Sequence, residues 1–358
     1  MRITFIMPFA SLAGGNRVIA LYARKLVERG HDVWVISQPD TPMPSWKQWL
    51  YRALGKGHRI KRKKRTPLLD FLGERHVVLD RARAVENRDV PDGDAIFATW
   101  WRTAPVVAGL SPSKGAKFYL LQDYEMFDYL PVDEVAATYT LPLHKLAVSG
   151  YIADAVRTNH GVSTVDVIPN AVDLAQFSVP PRVKNGQLTV GFLYKVTQRK
   201  RVTLAIEAVT RAKEYIPELQ VVAFGASAIL PDAPMPDWIT YRRAPAQDDI
   251  PGIYAQCDLW LFTSAHEGFG LPLLEAMACR TPVLATRAGA APDLIDGSNG
   301  TLLEPTPEAF VAELRRFDQM SPAQWQEFSN AAHQTAHGYS WDDATDMLVA
   351  ALTKHVKL

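Results

Sequence analysis

At 358 residues, with 47% hydrophobic and 22% charged, the chain has the size and composition of a soluble globular protein with two domains of ordinary size. A formal net charge of +1 gives no global reason to expect nucleic acid. Cys257 and Cys279 are the only cysteines, both in apolar surroundings without metal-ligand spacing, so buried free thiols in a reducing cytoplasm are expected and no metal site.

The opening MRITFIMPF goes straight into a strand pattern over Arg2 to Met7, without the layout of a signal peptide, and no apolar run approaches bilayer length. A loop ending in Ala13-Gly14-Gly15-Asn16 follows. Val18, Ile19, Leu21, Tyr22, Leu26 and Val27 recur at helical spacing as far as Gly30, and Val33 to Ile36 reads as a second strand, giving a β-α-β start. Gly14-Gly15 lacks the full G-x-G-x-x-G spacing; a tight turn of two small residues explains it equally well.

Trp46 to Arg65 holds nine Lys or Arg residues and no acid. Trp46, Trp49, Leu50, Ala53 and Leu54 form an apolar stripe at helical spacing, and the basic run with Arg62, Lys63 and Lys64 follows. This pattern predicts an interfacial anchor on an anionic membrane, where each cation contributes about 1 kcal/mol. The alternatives are a solvated basic loop with its tryptophans packed on the domain or, with less support, single-stranded RNA binding. Leu68, Leu69, Phe71 and Leu72 are placed to extend the apolar patch.

Two further strands, Asp94 to Thr99 and Ala116 to Leu121, lead into Trp100-Trp101-Arg102 and Gln122-Asp123-Tyr124-Glu125. Ligands of open parallel sheets sit outside the carboxyl ends of strands, so Trp100, Trp101, Gln122 and Tyr124 are candidate acceptor residues and Asp123 a candidate catalytic group. An aromatic loop packed beneath a lid is the structural alternative. Asp92-Gly93-Asp94 has D-x-D form but precedes its strand, which favours a turn over a metal site. A strand at Lys145 to Ser149, a helix at Ile152 to His160 and a strand at Val165 to Asn170 complete this half, and the proline-bearing stretch Val179 to Gly186 reads as a boundary.

The second half opens with a strand at Leu188 to Leu193, a loop carrying Lys195, Arg199, Lys200 and Arg201, and a helix from Val202. Such a cluster of cations suits a departing nucleoside diphosphate, though a solvated basic loop has the same composition. A strand at Leu219 to Phe224 runs into Gly225. The apolar run Leu259 to Phe262 then reads as a buried strand, a polar turn follows, and Glu267-Gly268-Phe269-Gly270 is expected to open a helix. Free amides there, with glycines admitting close approach, suit a pyrophosphate. Glu267 and Glu275 cannot both hold the anion and are better placed to accept from hydroxyls beside it, which describes a nucleotide sugar.

The stretch TSAHEGFGLPLLEAMACRTPV, Thr263 to Val283, resembles the E-x7-E signature of family 4 retaining glycosyltransferases. That resemblance implies a GT-B fold: an α/β chain of two doubly wound Rossmann-like domains facing across a cleft. Residues 1–178 would form the acceptor-side domain and 179–340 the nucleotide-sugar domain, with 341–358 a terminal helix crossing back. It further implies Glu275 on ribose hydroxyls, Glu267 near the transferred sugar, and Lys195 and Lys200 with the Gly268, Phe269 and Gly270 amides on the diphosphate; His266, beside Glu267, is a candidate contact to the donor sugar, with a structural role in the polar turn as the alternative. Gly225 would lie near the base, and Gly14, Gly15 and Asn16 near the acceptor and donor phosphate. Three departures stand out. Gln122-Asp123 occupies a place where the family often has histidine. Lys195 replaces an arginine, losing a bidentate fork that Arg199 or Arg201 is available to supply. Arg280 replaces a helix-ending glycine, so a different turn is expected before Thr281.

The combined expectation is metal-independent retaining transfer from a nucleotide-sugar donor to a saccharide or lipid-linked saccharide acceptor. No cofactor beyond the donor is implied. The setting would be surface polysaccharide assembly, in the cytoplasm and peripheral on the inner face of a bacterial cell membrane. A nucleotide-sugar epimerase or hydrolase, and a binding subunit without turnover, remain as alternatives.

Overall fold

The computed structural model describes residues 1–10, 14–39 and 67–356. The predicted membrane segment, with Trp46, Trp49, Leu50, Arg62, Lys63 and Lys64, lies outside the described residues. The chain divides into two compact units, one of Met1–Ala147, Ala155–Asp166 and Thr345–Leu358, the other of Val148–Asp154 and Val167–Ala344.

The first unit is built on seven strands, β1 (Arg2–Phe9), β2 (Asp32–Gln38), β3 (His76–Val78), β4 (Ala95–Ala98), β5 (Ala116–Leu121), β6 (His144–Ala147) and β7 (Val165–Val167). Their order is β3-β2-β1-β4-β5-β6-β7, and β1 pairs in parallel with both β2 and β4. Ile3, Phe5, Ile6 and Met7 of β1 are all buried, as expected of a strand covered on both faces. Phe97 stacks on Phe5 at 4.7 Å and on Phe118 at 5.1 Å, joining three strands through their side chains. The Gly14–Glu28 helix buries Val18, Ile19, Tyr22, Ala23 and Leu26, the stripe expected from its spacing. Strand order reverses between β1 and β4, where open parallel sheets place ligands.

The short β3 and a 3-10 helix at Pro67–Arg75 were not foreseen. Three residues are too few to show a period. The 3-10 helix also corrects one expectation: Leu69 and Leu72 are turned into the core and do not extend a surface patch. Phe71 lies under the Arg24 guanidinium at 5.0 Å. From Thr345 onward the chain belongs to the first unit, where Asp346 meets Arg29 at 2.8 Å.

The second unit has six parallel strands, β8 (Thr189–Leu193), β9 (Gln220–Gly225), β10 (Thr240–Arg243), β11 (Leu259–Phe262), β12 (Val283–Ala285) and β13 (Gly300–Leu302). They are ordered β10-β9-β8-β11-β12-β13, so β8 and β11 flank the reversal. Phe192, Leu261, Phe310, Phe317 and Trp325 are core residues of this unit. Arg182, in the expected boundary stretch, stacks on Trp325 at 4.6 Å and donates to Thr281 Oγ1 at 3.0 Å. Asp258, wholly buried, accepts from the Asn185 and Thr189 amides at 2.9 and 2.8 Å, which fixes the entry into β8.

Candidate active site

In the second unit the loops after β8 and β11 meet at the strand reversal. Thr263 Oγ1 reaches the carbonyls of Lys200 and Arg201 at 3.2 and 3.1 Å, and the Ala265 amide donates to Arg199 O at 2.7 Å. With its backbone held this way, Lys200 donates from Nζ to Glu267 Oε1. Ser264 Oγ donates to the same oxygen at 2.6 Å. Side-chain exposure is only 18% for Lys200 and 13% for Glu267, so the pair sits in a setting where solvent screens it weakly. Behind it stands Gly289, at φ +58°. A Cβ there would lie 2.8 Å from Glu267 Cβ and 2.5 Å from Phe269 O, so this turn admits glycine alone without displacing the carboxylate.

The helix after this turn spans Leu271–Ala278 and is capped by Gly270 at φ 96°, so Glu267 to Gly270 form the turn ahead of it and not its first residues. Pro272, with no N–H to donate, fits the first helical turn. Among the described residues, the amides of Gly268, Phe269, Gly270 and Leu271 donate no hydrogen bond. Successive amides left open before a helix are suited to an anion. Phe269 contributes backbone only, its ring being buried.

Glu275 lies within the helix, and its Oε2 accepts from the Tyr254 hydroxyl at 2.8 Å. Tyr254 is fully buried, edge-on to Trp260 at 4.5 Å and Phe224 at 5.7 Å. Burial first, and then the Glu275 charge, raise the phenol's pKa far above its ordinary value, so it stays a donor. Sequence reading passed over Tyr254. Its signal was a tyrosine on the apolar side of a short helix, since a buried hydroxyl needs a partner.

Lys195 is exposed at the residue level, yet partial burial of its amine, followed by the charges of Lys200 and Arg199, lowers its pKa. Lys195 thus adds positive charge beside the Lys200–Glu267 pair, which suits an anion. His266 is held by Tyr151, whose hydroxyl is 3.3 Å from Nδ1. Gly225 ends β9 against the Tyr194 carbonyl, and its own carbonyl accepts from Ala244 at 2.7 Å. Arg280 corrects an expectation: it adopts the left-handed conformation itself, at φ +60°, so the turn before Thr281 is kept without glycine.

The first-unit candidates separate into different surroundings. Gly14 opens its helix, Asn16 Nδ2 donates to Phe9 O at 2.7 Å, and Gly15 faces the Gln122 amide, 3.1 Å from where a Cβ would be. Tyr124 instead stacks on Tyr139, with its hydroxyl 3.0 Å from His160 Nε2, and Asp123 Oδ1 accepts from the Tyr124 amide at 3.0 Å. Trp100 and Trp101 meet edge to face at 5.7 Å, and the Trp101 amide donates to Glu125 Oε2 at 3.0 Å. Of the D-x-D carboxylates, Asp92 accepts from Lys114 and Ser113, each at 2.7 Å, and Asp94 from the Arg2 amide at 2.6 Å. They serve a turn.

Among the described residues no three His, Cys, Asp or Glu are grouped to hold a metal ion, and no helix is long and apolar enough to cross a membrane. Both cysteines are free and buried, and burial pushes the Cys279 thiol up to about 12.

Residues 185–318, which include this whole lysine and glutamate cluster, match the family described as glycosyl transferases group 1. The second unit carries a group 1 glycosyltransferase domain. The chain is similar to the O-antigen chain mannosyltransferase B of Escherichia coli, 30% identical over 116 residues that cover 32% of this chain and 30% of that protein. It also resembles the D-inositol 3-phosphate glycosyltransferase of Arthrobacter sp. (strain FB24), 28% identical over 197 residues covering 49% of this chain and 47% of the relative. The match thus spans about half the length, or less, of these curated relatives. Anabaena HepE, solved in complex with UDP and glucose, superposes with a TM-score of 0.73 at 17% identity, over 99% of this chain and 100% of that one. The likeness to HepE shows the GT-B fold, and the family match is confined to residues 185–318.

Proposed function

We propose that the protein transfers a sugar from a nucleoside-diphosphate sugar to a saccharide acceptor, with retention of anomeric configuration and without a bound metal. The observation that carries this reading is the joining of Lys200, Ser264 and Glu267 beside open amides, with Glu275 one helix turn beyond and held by Tyr254. Glu275, oriented by the Tyr254 hydroxyl on its Oε2, accepts from ribose hydroxyls. Glu267, with Lys200 and Ser264 sharing one oxygen, accepts from a hydroxyl of the transferred sugar through the other. Lys195, Arg199, Lys200 and the amides from Gly268 to Leu271 take the diphosphate, whose charge grows as the glycosidic bond breaks. Stabilisation aimed at that developing charge lowers the barrier itself.

A relative named for O-antigen chain assembly supports an acceptor in surface glycoconjugate assembly. A lipid-linked saccharide at the inner face of a cell membrane fits this setting. Gly15, Gln122 and Asp123 are the first-unit groups assigned to the acceptor side.

Calorimetric titration with UDP, GDP, dTDP and ADP tests the reading, on the native chain and on Glu275→Ala. One diphosphate should bind, and the substitution should weaken it about tenfold, the loss of hydrogen bonds to a charged acceptor. If none binds to folded protein, or if Glu275→Ala binds equally well, the assignment fails.

A further inference from the structure

Within the first unit, at the reversal between β1 and β4, the strand ends surround a pocket of about 710 Å³. This volume is in the range of sites that enclose a small molecule. Ile6, Pro8, Phe9, Pro39, Val85 and Val106 supply apolar wall, and Trp100 and Trp101 add two indole faces.

The polar side chains on the same wall decide what the pocket can hold. Gln38 is spent on the Arg83 backbone, donating to its carbonyl at 2.7 Å and accepting from its amide at 3.3 Å. Arg83 grips Asp89 with two bonds at 2.5 and 2.7 Å and reaches Asp80 at 3.2 Å. Thr103 Oγ1 accepts from the Thr99 and Trp100 amides, each at 3.0 Å, and donates to Trp100 O at 2.7 Å. A saccharide filling this space would bury many hydroxyls against groups that have nothing left to offer them.

Among the described residues, Arg102 and Glu134 remain on the wall, beside a Trp101 indole N–H that is buried. Trp101 is 4% exposed, and its Nε1–H has no partner among the described residues. Arg102, exposed, lies over both indoles at 5.4 and 4.8 Å from their ring centroids. No ion pair to Arg102 occurs among the described residues. Glu134 adds one carboxylate on the wall. An apolar body with one oxygen-rich anionic end fits this set, with the anion on the guanidinium and Glu134 placed to accept from a hydroxyl beyond it.

We infer that this pocket takes the hydrocarbon part of a lipid-linked acceptor, with an anionic oxygen of its linker on Arg102. This rests on the proposed transfer to a lipid-linked saccharide and supplies the substrate class for the first unit.

Titration calorimetry with hexyl, octyl and decyl phosphate below their micelle concentrations tests it. Affinity should rise about fourfold per added methylene until the pocket is filled. Trp substitutions at the exposed wall positions, Ala84→Trp and separately Ala82→Trp, should abolish binding. Arg102→Gln should weaken octyl phosphate about tenfold and leave octanol unchanged. No dependence on chain length, native-like binding by both tryptophan variants, or tighter binding of methyl glucoside than of octyl phosphate would overturn the inference. Nucleoside diphosphates titrated into the same preparation separate the two readings. If they bind while alkyl phosphates do not, the pocket inference alone is lost; alkyl phosphate binding without them keeps the pocket and sinks the donor assignment.

Discussion

The two strand reversals of this molecule are built in opposite ways. In the second unit, both carboxylates of the site lie within the stretch from Glu267 to Glu275, and each is already held by a named donor, Lys200 with Ser264 or Tyr254. In the first unit, the pocket wall is gathered from residues 6–9, 38–39, 82–85, 100–106 and 134, and Trp101 Nε1 and Gln122 Oε1 have no partner among the described residues. A site carried by one turn and one helix is fixed by short-range geometry, so its charges are positioned before a ligand arrives. A pocket assembled from distant segments depends on the packing of each one. The first kind of site suits a reaction step; the second suits recognition of a variable partner.

The largest effect should come from Lys200→Ala. Removing this cation strips Glu267 of its charged partner and the diphosphate of a counter-charge, so release of nucleoside diphosphate from the donor should slow by about 10²–10³ in kcat. Alkyl phosphate binding in the first unit should not change. A fall below threefold in kcat, with the protein folded, would show that the second-unit cluster is not the preorganised centre.

Asp89→Asn probes the other side of the comparison. The Arg83 guanidinium holds the Asp89 carboxyl at about 2, against an ordinary value of 3.8. A carboxyl depressed in the folded state stabilises it fully above the unfolded value, and that contribution disappears as pH falls toward the folded value. The variant should therefore be less stable than the native chain by about 1–2 kcal/mol at neutral pH, with the gap narrowing between about pH 4 and pH 2. Because Arg83 and Val85 both line the pocket, octyl phosphate affinity should fall while diphosphate affinity holds. Thermal melts across this pH range check the first point, and a gap that widens on acidification would contradict it.

How much of this was legible follows the same division. The apolar run before Thr263, the glycines after it and the spacing of Glu267 and Glu275 placed a strand, a turn and a helix correctly, because all of the determinants are adjacent in sequence. The exact start of the helix was misjudged, since Gly270 caps from a left-handed conformation that composition does not reveal. Lys200 was found through the same family resemblance, but its contact with Glu267 spans a crossover and appears only once β8 and β11 are neighbours. Tyr254 was missed because its bond to Glu275 joins the two helices on either side of β11, a packing that spacing alone does not show. In the first unit, Trp100 and Trp101 were identified as belonging to a strand exit, yet nothing in their spacing could show that Arg83 and Gln38 would consume one another's polar groups. The sequence also separated Gly15 from Gln122 by over a hundred residues, and only the sheet order brings them together.

Arg280 offers the smallest and most local test. Its φ of +60° costs a residue with a Cβ about 1 kcal/mol. Against that, its Nη1 reaches Asn330 Oδ1 at 3.1 Å and its Nε reaches Val179 O at 3.3 Å. These bonds lie at a partly exposed position, where each contributes less than the backbone relief. Arg280→Gly should therefore raise the melting temperature by about 1–2 °C, from a net gain near 0.5 kcal/mol. Arg280→Ala loses the same bonds and keeps the strained backbone, so it should melt below the native protein. The interval between the two variants isolates the left-handed cost. If both melt lower by equal amounts, the arginine is retained for its two contacts, and the strain at this helix end is smaller than its φ implies.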